Sequence, residues 1–328
     1  CNGAPVESFR LFHNGKSLLI HQDDLVLPTR PGESTTYAHT VSLIAGENSF
    51  SAVLRDKDKI ESDVSTATVE SAQPTKNSTC YILAVGINSY KNPKLTLSYA
   101  RPDAESFVQT MKVNQQLFKE IELVTLYDEE ASRINILKQL EMIASRAKPE
   151  DVFVFYYAGH GSMVENEFFF IPSESIRLYE LMALRKEALE AATLQEKFKN
   201  IKALKQLIVM DACQSGGSVE LLANRGAAEE KAIAQLSRSA GIHVMASAGS
   251  DQFATEFAEL GHGLFTYVLI KALQGDADGA PKDGKVTIYE LKSFLDDQVP
   301  ELTRKMKGKP QYPYTFSRGQ DFPVRVDN

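Results

Sequence analysis

The sequence has no tryptophan and only three cysteines, Cys1, Cys80 and Cys213, in 328 residues. So few thiols, in an odd number, supply no disulfide framework and fit a reducing compartment. No two of them have the spacing of a metal site, and the six histidines do not cluster with them, so no metal is expected. No apolar run approaches the roughly 18–20 residues that cross a bilayer, and the start carries no secretory leader pattern. Basic residues are also in deficit. The 36 Lys and Arg stand against 43 Asp and Glu, a net charge of −7, whereas nucleic-acid binding needs clustered positive charge. These absences lead us to expect a cytoplasmic protein with no nucleic-acid or membrane partner. The chain opens on Cys1 rather than Met. A piece of a longer chain, with a regulatory region or partner upstream, is expected ahead of a lipid anchor on Cys1.

What is present divides the chain in two. Residues 1–73 read as β structure. In "SFRLFHNGKSLL" two short strands flank Asn14-Gly15, a strong hairpin signal. "TYAHTVSLIAGENSFSAVLRD" alternates and turns at Ala45-Gly46-Glu47-Asn48, and "SDVSTATVES" is a further strand. Several short strands at close spacing predict a small sandwich, all or part of an immunoglobulin-like module. Residues 74–79 are polar, begin with Pro74 and read as a linker.

From Cys80 strands and helices alternate. "CYILAVGI" (80–87), "IELVTLY" (121–127), "DVFVFYYAG" (151–159), "EFFFIP" (167–172), "QLIVMDAC" (206–213) and "GIHVMASAG" (241–249) read as strands. Helices are predicted over 102–116, with Pro102 first, over 129–147, and near 262–274 and 287–298. A long helical segment is expected through Leu178, Leu181, Leu184, Phe198 and Ile201. Near-continuous apolar strands separated by helices predict a doubly wound, mostly parallel sheet with helices on both faces.

In such sheets ligands bind beyond the carboxyl ends of the strands. "YYAGHGS" puts His160 between two glycines at one strand end, and "LIVMDACQSGG" puts Cys213 at another. Either residue alone is commonly structural. Together, an imidazole and a thiol at one sheet edge form a cysteine nucleophile with its base.

The spacing, with His160 roughly 50 residues before Cys213, also matches the caspase pattern. "YILAVGINSY", "YARPDAESF", "DVFVFYYAGHGS", "IVMDACQSGG" and "GLFTYVLIKAL" resemble the caspase-like superfamily of cysteine peptidases, in its bacterial branch close to metacaspases. The resemblance runs from residue 80 to about 320 and implies the caspase–hemoglobinase fold. It implies that Cys213 attacks the scissile carbonyl, that His160 is acid and base, and that the backbone N–H groups of Gly161 and Cys213 hold the oxyanion. It further implies a dyad without a third carboxylate.

Specificity is carried over in the same way. Where true caspases have Gln two residues before the nucleophile, this chain has Asp211. In the metacaspase and paracaspase branch that position is acidic and binds a basic P1 side chain. Asp103 in "ARPDAESF" matches the second acid of that pocket. Two carboxylates suit Arg or Lys. The departure is Arg101-Pro102, where Arg101 either neutralises the pocket or points to solvent. The plainer roles are Asp103 serving a helix N-terminus and Asp211 bracing the turn at Cys213.

Ser247 and Ala248, in "MASAGSDQFATEF", match a wall of the substrate cleft, with Gln252 and Glu256 in the same local motif. Residues 218–240 match a linker that relatives can cut, which makes Arg225, Lys231 and Arg238 candidate self-cleavage points. An uncut helical connector is preferred, because "AAEEKAIAQL" is a strong helix former. "GDADGAPKDGKVTIYEL" invites a calcium reading. The EF-hand template fails there, since Gly279 and Pro281 fall at ligand positions. No cofactor is therefore expected, with calcium held as the alternative. The expected function is a cysteine endopeptidase cutting peptide or protein substrates after Arg or Lys, in regulated proteolysis. The alternatives are a catalytically silent interaction module of the same fold and a thiol redox sensor at Cys213.

Overall fold

Asn14 and Gly15 both take positive φ, 49° and 82°, the pair a tight two-residue hairpin turn requires. They join β1 (Val6–His13) to β2 (Lys16–Ser17) with Phe12 opposite Ser17. In this computed structural model the described residues are 5–20, 25–28, 30, 33–58, 60–113, 115–165, 167–177, 180–214, 225–247, 256–257 and 261–327, with the backbone alone at 115, 213, 214, 225–227, 256, 257 and 307.

β3 (Gly46–Asp56) pairs with β1 on one edge and with β4 (Ser65–Ser71) on the other. The result is one four-stranded antiparallel sheet of order β2-β1-β3-β4. A second layer, as a sandwich would have, is not found among the described residues. The alternating stretch before Gly46 forms no ladder there, because both edges of β3 are already taken. The chain does turn at the expected place. Asn48 gathers it by accepting from Ile44 N and donating to the Ile44 and Gly46 carbonyls, each at 2.9 Å.

Among the described residues the rest of the chain forms two two-stranded sheets and one large eight-stranded sheet. The large sheet begins with β5 (Thr79–Gly86), β6 (Glu120–Tyr127) and β7 (Val152–Val164). It continues with β8 (Glu167–Phe170), β9 (Leu189–Glu190), β10 (Lys205–Gln214) and β11 (His243–Ala246). The path is β15-β11-β10-β7-β5-β6, parallel from β11 to β6, with the edge strand β15 (Tyr314–Phe316) antiparallel. The chain starts in the middle at β5, runs out to β6 and returns to β7, so the order reverses between β5 and β7.

Alternate residues of β7 feed two cores. Phe153, Phe155 and Tyr157 pack with α2 (Arg133–Arg146), α4 (Ala191–Asn200) and α5 (Arg225–Ala240). Val152, Val154 and Tyr156 pack with α1 (Ala100–Val113), α6 (Leu264–Lys271) and α7 (Ile288–Lys307). Burial on both faces is why this strand is apolar throughout. Emptying one such site, as in Phe155→Ala, costs about 3–5 kcal/mol.

Several boundaries differ from expectation. The predicted long helix is two, α3 (Leu181–Glu187) and α4, separated because β9 pairs with β8; Leu178 lies outside the described residues. α1 starts at Ala100, placing Pro102 inside its first turn, where the missing N–H costs nothing. β7 does not stop at Gly159. It leaves β5 at Ala158, carries His160 within the strand, and from Gly161 to Val164 pairs with β8. The short hairpin β12 (Glu256–Phe257) and β13 (His262–Gly263) leads into α6, and β14 (Lys285–Thr287) pairs with β16 (Pro323–Val326).

The β1–β2 hairpin tip seats at the amino end of the large sheet. A Cβ on Gly241, just before β11, would lie 1.8 Å from the Gly15 carbonyl oxygen, so only glycine permits this approach. Gln320 N donates to Asn14 O at 3.2 Å, and Lys16 Nζ to Lys199 O at 3.1 Å. Among the described residues no helix is long and apolar enough to cross a membrane.

Candidate active site

His160 and Cys213 are direct register partners on adjacent parallel strands, β7 and β10. His160 shares the strand alternation of Val154 and Tyr156, which face α1 and α6. The backbone around His160 is pinned. Its N–H donates to the Tyr90 hydroxyl at 2.8 Å, and its carbonyl accepts from Tyr157 Oη at 2.7 Å and from Ile171 N at 3.1 Å.

The ring is oriented as well. It packs on Tyr90 with centroids 5.0 Å apart, and Nε2 lies 2.7 Å from the Leu95 carbonyl oxygen. A carbonyl only accepts, so Nε2 carries a proton. Nδ1 is then the nitrogen that exchanges one. Leu95 closes a 3₁₀ turn that Asn92 caps by accepting from Lys94 N. The partner of Nε2 is thus a main-chain carbonyl, which carries no side-chain signal in the sequence.

The two acids meet. A Cβ on Gly263 would lie 2.9 Å from Asp103 Oδ2 and 3.0 Å from Asp211 Oδ2, so both carboxylates converge beside that residue. Both are buried, at 3% and 6% exposure. Asp211 Oδ2 accepts from Thr266 Oγ1 at 2.7 Å, and Thr266 Oγ1 lies 2.7 Å from Tyr156 Oη. Phe107 stacks on Tyr156 at 4.4 Å and fixes that ring. Asp103 Oδ1 is 2.7 Å from His262 Nδ1, and Gly263 N donates to both of its oxygens, at 3.3 and 3.1 Å.

Burial, reinforced by the Asp211 charge, pushes the Asp103 carboxyl up to about 7 against the pull of His262 and Gly263. Asp211 is raised by burial, with Thr266 opposing. The hydrogen bond to Asp103 raises His262. Ser247, just past β11, is buried. Its Oγ makes no hydrogen bond of ordinary geometry, yet it lies close enough to Asp211 to favour the charged carboxylate.

Arg101 does not reach the acids. It turns outward to Glu105 at 2.8 Å and Asp128 at 3.0 Å, and lies over the Tyr127 ring. Tyr90, Arg101, Asp128 and Glu174 line a separate cavity of about 750 Å³. Arg225, Lys231 and Arg238 all fall within α5, and Lys231 and Arg238 are exposed. Ala248 and Gln252 lie outside the described residues, and Glu256 is described only as backbone in β12. In the stretch read for calcium, Asp278 accepts from Asp283 N and Gly284 N, and Glu290 from Thr287 N in a capping box. No cluster of metal-ligating side chains occurs among the described residues. His262, Gly263, Thr266, Tyr90 and Leu95 were not singled out from sequence. Gly263 and Thr266 do fall in or beside "GLFTYVLIKAL".

A doubly wound sheet with a histidine and a cysteine paired across adjacent strands defines an α/β protein with its site at the carboxyl edge. The family model of the caspase domain, peptidase C14, matches residues 79–321, most of the chain, and the chain belongs to that family of cysteine peptidases. Its family implies a protein substrate. Among solved structures it is similar to the crystal structure of protein GSU0716 from Geobacter sulfurreducens, with a TM-score of 0.52 and 15% identity over 76% of this chain and 97% of that one. At that identity the likeness concerns the fold alone. No curated protein matches the chain.

Proposed function

We propose that this chain is an endopeptidase that uses Cys213 as nucleophile and His160 as its acid–base partner, and that it cuts after Arg or Lys in regulated proteolysis. The observation that carries the specificity is the convergence of Asp103 and Asp211 beside Gly263, two residues upstream of Cys213 in the case of Asp211. Two buried carboxylates this close are costly without a counter-ion. A guanidinium or ammonium supplies one.

The thiol gives its proton to His160 Nδ1, and the thiolate adds to the scissile carbonyl carbon. The oxyanion is held by the N–H groups of Gly161 and Cys213; one such donor contributes about 3–4 kcal/mol. The imidazolium returns the proton to the leaving amine and leaves a thioester. Water then attacks the thioester while His160 takes its proton, and the thiolate departs. The Leu95 carbonyl steadies the ring in both charge states, because Nε2–H donates in each. Ser247 contributes to the cleft wall. The uncut chain is the working form, since Arg225, Lys231 and Arg238 sit in a helix and a protease needs extended backbone.

Fluorogenic peptides that differ only at P1 test this reading, with Cys213→Ala as control. Turnover after Arg or Lys that vanishes in the variant is expected. Turnover after Asp alone removes the pocket assignment and keeps the nucleophile. Silence across the set, with Cys213 inert to an activated peptide inhibitor, leaves an interaction module.

A further inference from the structure

Asp103 and Asp211 are held by different means. Asp211 is anchored from within the core through Thr266 and Tyr156. Asp103 is anchored from outside, by the β12–β13 hairpin, through His262 Nδ1 and Gly263 N. The His262 side chain is 24% exposed against 4% for Asp103, so it stands on the solvent side of the acid. A carboxylate oxygen accepts, so His262 Nδ1 donates whether the ring is neutral or charged. That bond fixes Oδ1, while Oδ2 accepts from Gly263 N and, with Asp211 Oδ2, lies against Gly263.

We propose that His262 is a positioning residue of the acidic pocket, fixing the Asp103 carboxylate through Oδ1 so that Oδ2 and Asp211 Oδ2 together receive one basic side chain. This rests on the reading of the two acids as the P1 site. Among the described residues the charged group facing His262 is Asp103 from α1, with Asp211 from β10 behind it. The first turn of α6, Leu264 to Tyr267, brings no charged side chain, and β12 places Glu256 opposite Gly263 in backbone register. Burial and Asp211 both favour the neutral form of Asp103, whereas His262 opposes them. Without that donor the carboxyl protonates at higher pH and the pocket loses charge under neutral conditions.

The test is the pH dependence of cleavage after P1 Arg, from about pH 6 to about pH 9, in the wild-type chain, His262→Ala and His262→Gln. His262→Ala is expected to raise KM about tenfold while kcat moves far less, and to shift the KM limb about one unit to higher pH. Gln keeps an N–H donor and is expected to recover most of the loss. A peptide with citrulline at P1 is expected not to distinguish the three. Calorimetric binding of benzamidine to Cys213→Ala, with and without His262→Ala, gives the same comparison without turnover, and about tenfold weaker binding is expected. If the wild-type chain cuts after Arg and binds benzamidine but His262→Ala matches it in KM and pH limb, or loses kcat alone, this inference is overturned by itself. If the wild-type chain does neither, the basic-P1 reading falls and takes the inference with it.

Discussion

Both ends of the large sheet bury ionisable groups. At the carboxyl end are Asp103, Asp211 and the half-buried His262; at the amino end, under the β1–β2 hairpin, is Lys16. Asp103 and Lys16 are both displaced to about 7, from opposite sides. Burial is the largest cause in each case, so displacement alone does not tell the ends apart. Arrangement does. The acids bring like charges together against Gly263 and draw donors from α6 and the β12–β13 hairpin. Lys16 donates to the Ser17 and Lys199 main-chain carbonyls, at 3.4 and 3.1 Å, and the nearby Lys199 charge disfavours its own. The first is a pair of buried carboxyls tied to donors on neighbouring elements. The second is a side chain that runs from β2 to the end of α4.

Neutralising the acid end is the strongest way to break this comparison. Asp211→Asn keeps size and a Thr266 contact but removes a charge that a P1 cation needs. We expect kcat/KM for P1 Arg to fall by about 10²–10³, with an uncharged P1 peptide nearly unaffected. Equal losses on both peptides would return Asp211 to bracing the turn at Cys213.

The stability of the two ends should also depend on pH in opposite directions. Asp103 keeps its proton in the folded chain up to about 7, but loses it near 3.8 when unfolded. The folded state therefore binds the extra proton between those values. The stabilisation is fully present below the lower value and is lost as pH rises through about 7. His262, raised above 6.5 by Asp103, adds a loss of the same sign just above that value. Lys16 reverses the sign. The folded chain has lost this proton between about 7 and 10.5, so stability rises with pH across that window. Each slope is bounded by one proton, about 1.4 kcal/mol per pH unit. Denaturant titrations across pH should show Asp103→Asn flattening the first window and leaving the second. A first window that Asp103→Asn leaves unchanged would mean this carboxyl is already charged in the folded chain.

How far these ends were legible in the sequence follows from how each is encoded. Strands buried on both faces announce themselves as apolar runs, so the large sheet and its carboxyl-edge residues could be placed. Asp103 and Asp211 stood out because they sit beside recognisable segments. His262 did not, because its meaning lies in a partner on a distant helix and the hairpin that carries it shows no periodicity. The Leu95 carbonyl has no letter of its own. The overreach on the amino-terminal strands has a physical cause too. Alternation shows that a stretch can lie on a sheet, not that an edge is open to it, and β1 and β4 had closed both edges of β3. Lys16 gave no sign of burial, since a lysine beside a hairpin turn ordinarily reaches water.

Lys16 therefore offers the smallest but cleanest contrast. Met matches its length and removes the cost of a buried ammonium held by two carbonyl oxygens. For a chain of this size we expect Lys16→Met to raise Tm by roughly 2–4 °C for each kcal/mol recovered. The rise in stability between about pH 7 and 10.5 should shrink with it, with Lys205, also lowered by burial, keeping a remainder of the same sign. Kinetics toward P1 Arg should not change, because Lys16 and the acids lie at opposite ends of the strands that separate them. A lower Tm would show that the Lys199 and Ser17 hydrogen bonds outweigh the burial cost, making the lysine a clasp between β2 and the end of α4. Altered turnover at unchanged Tm would show that the hairpin seat at Gly241 communicates with the carboxyl end of the sheet, and the two ends would have to be treated as one system.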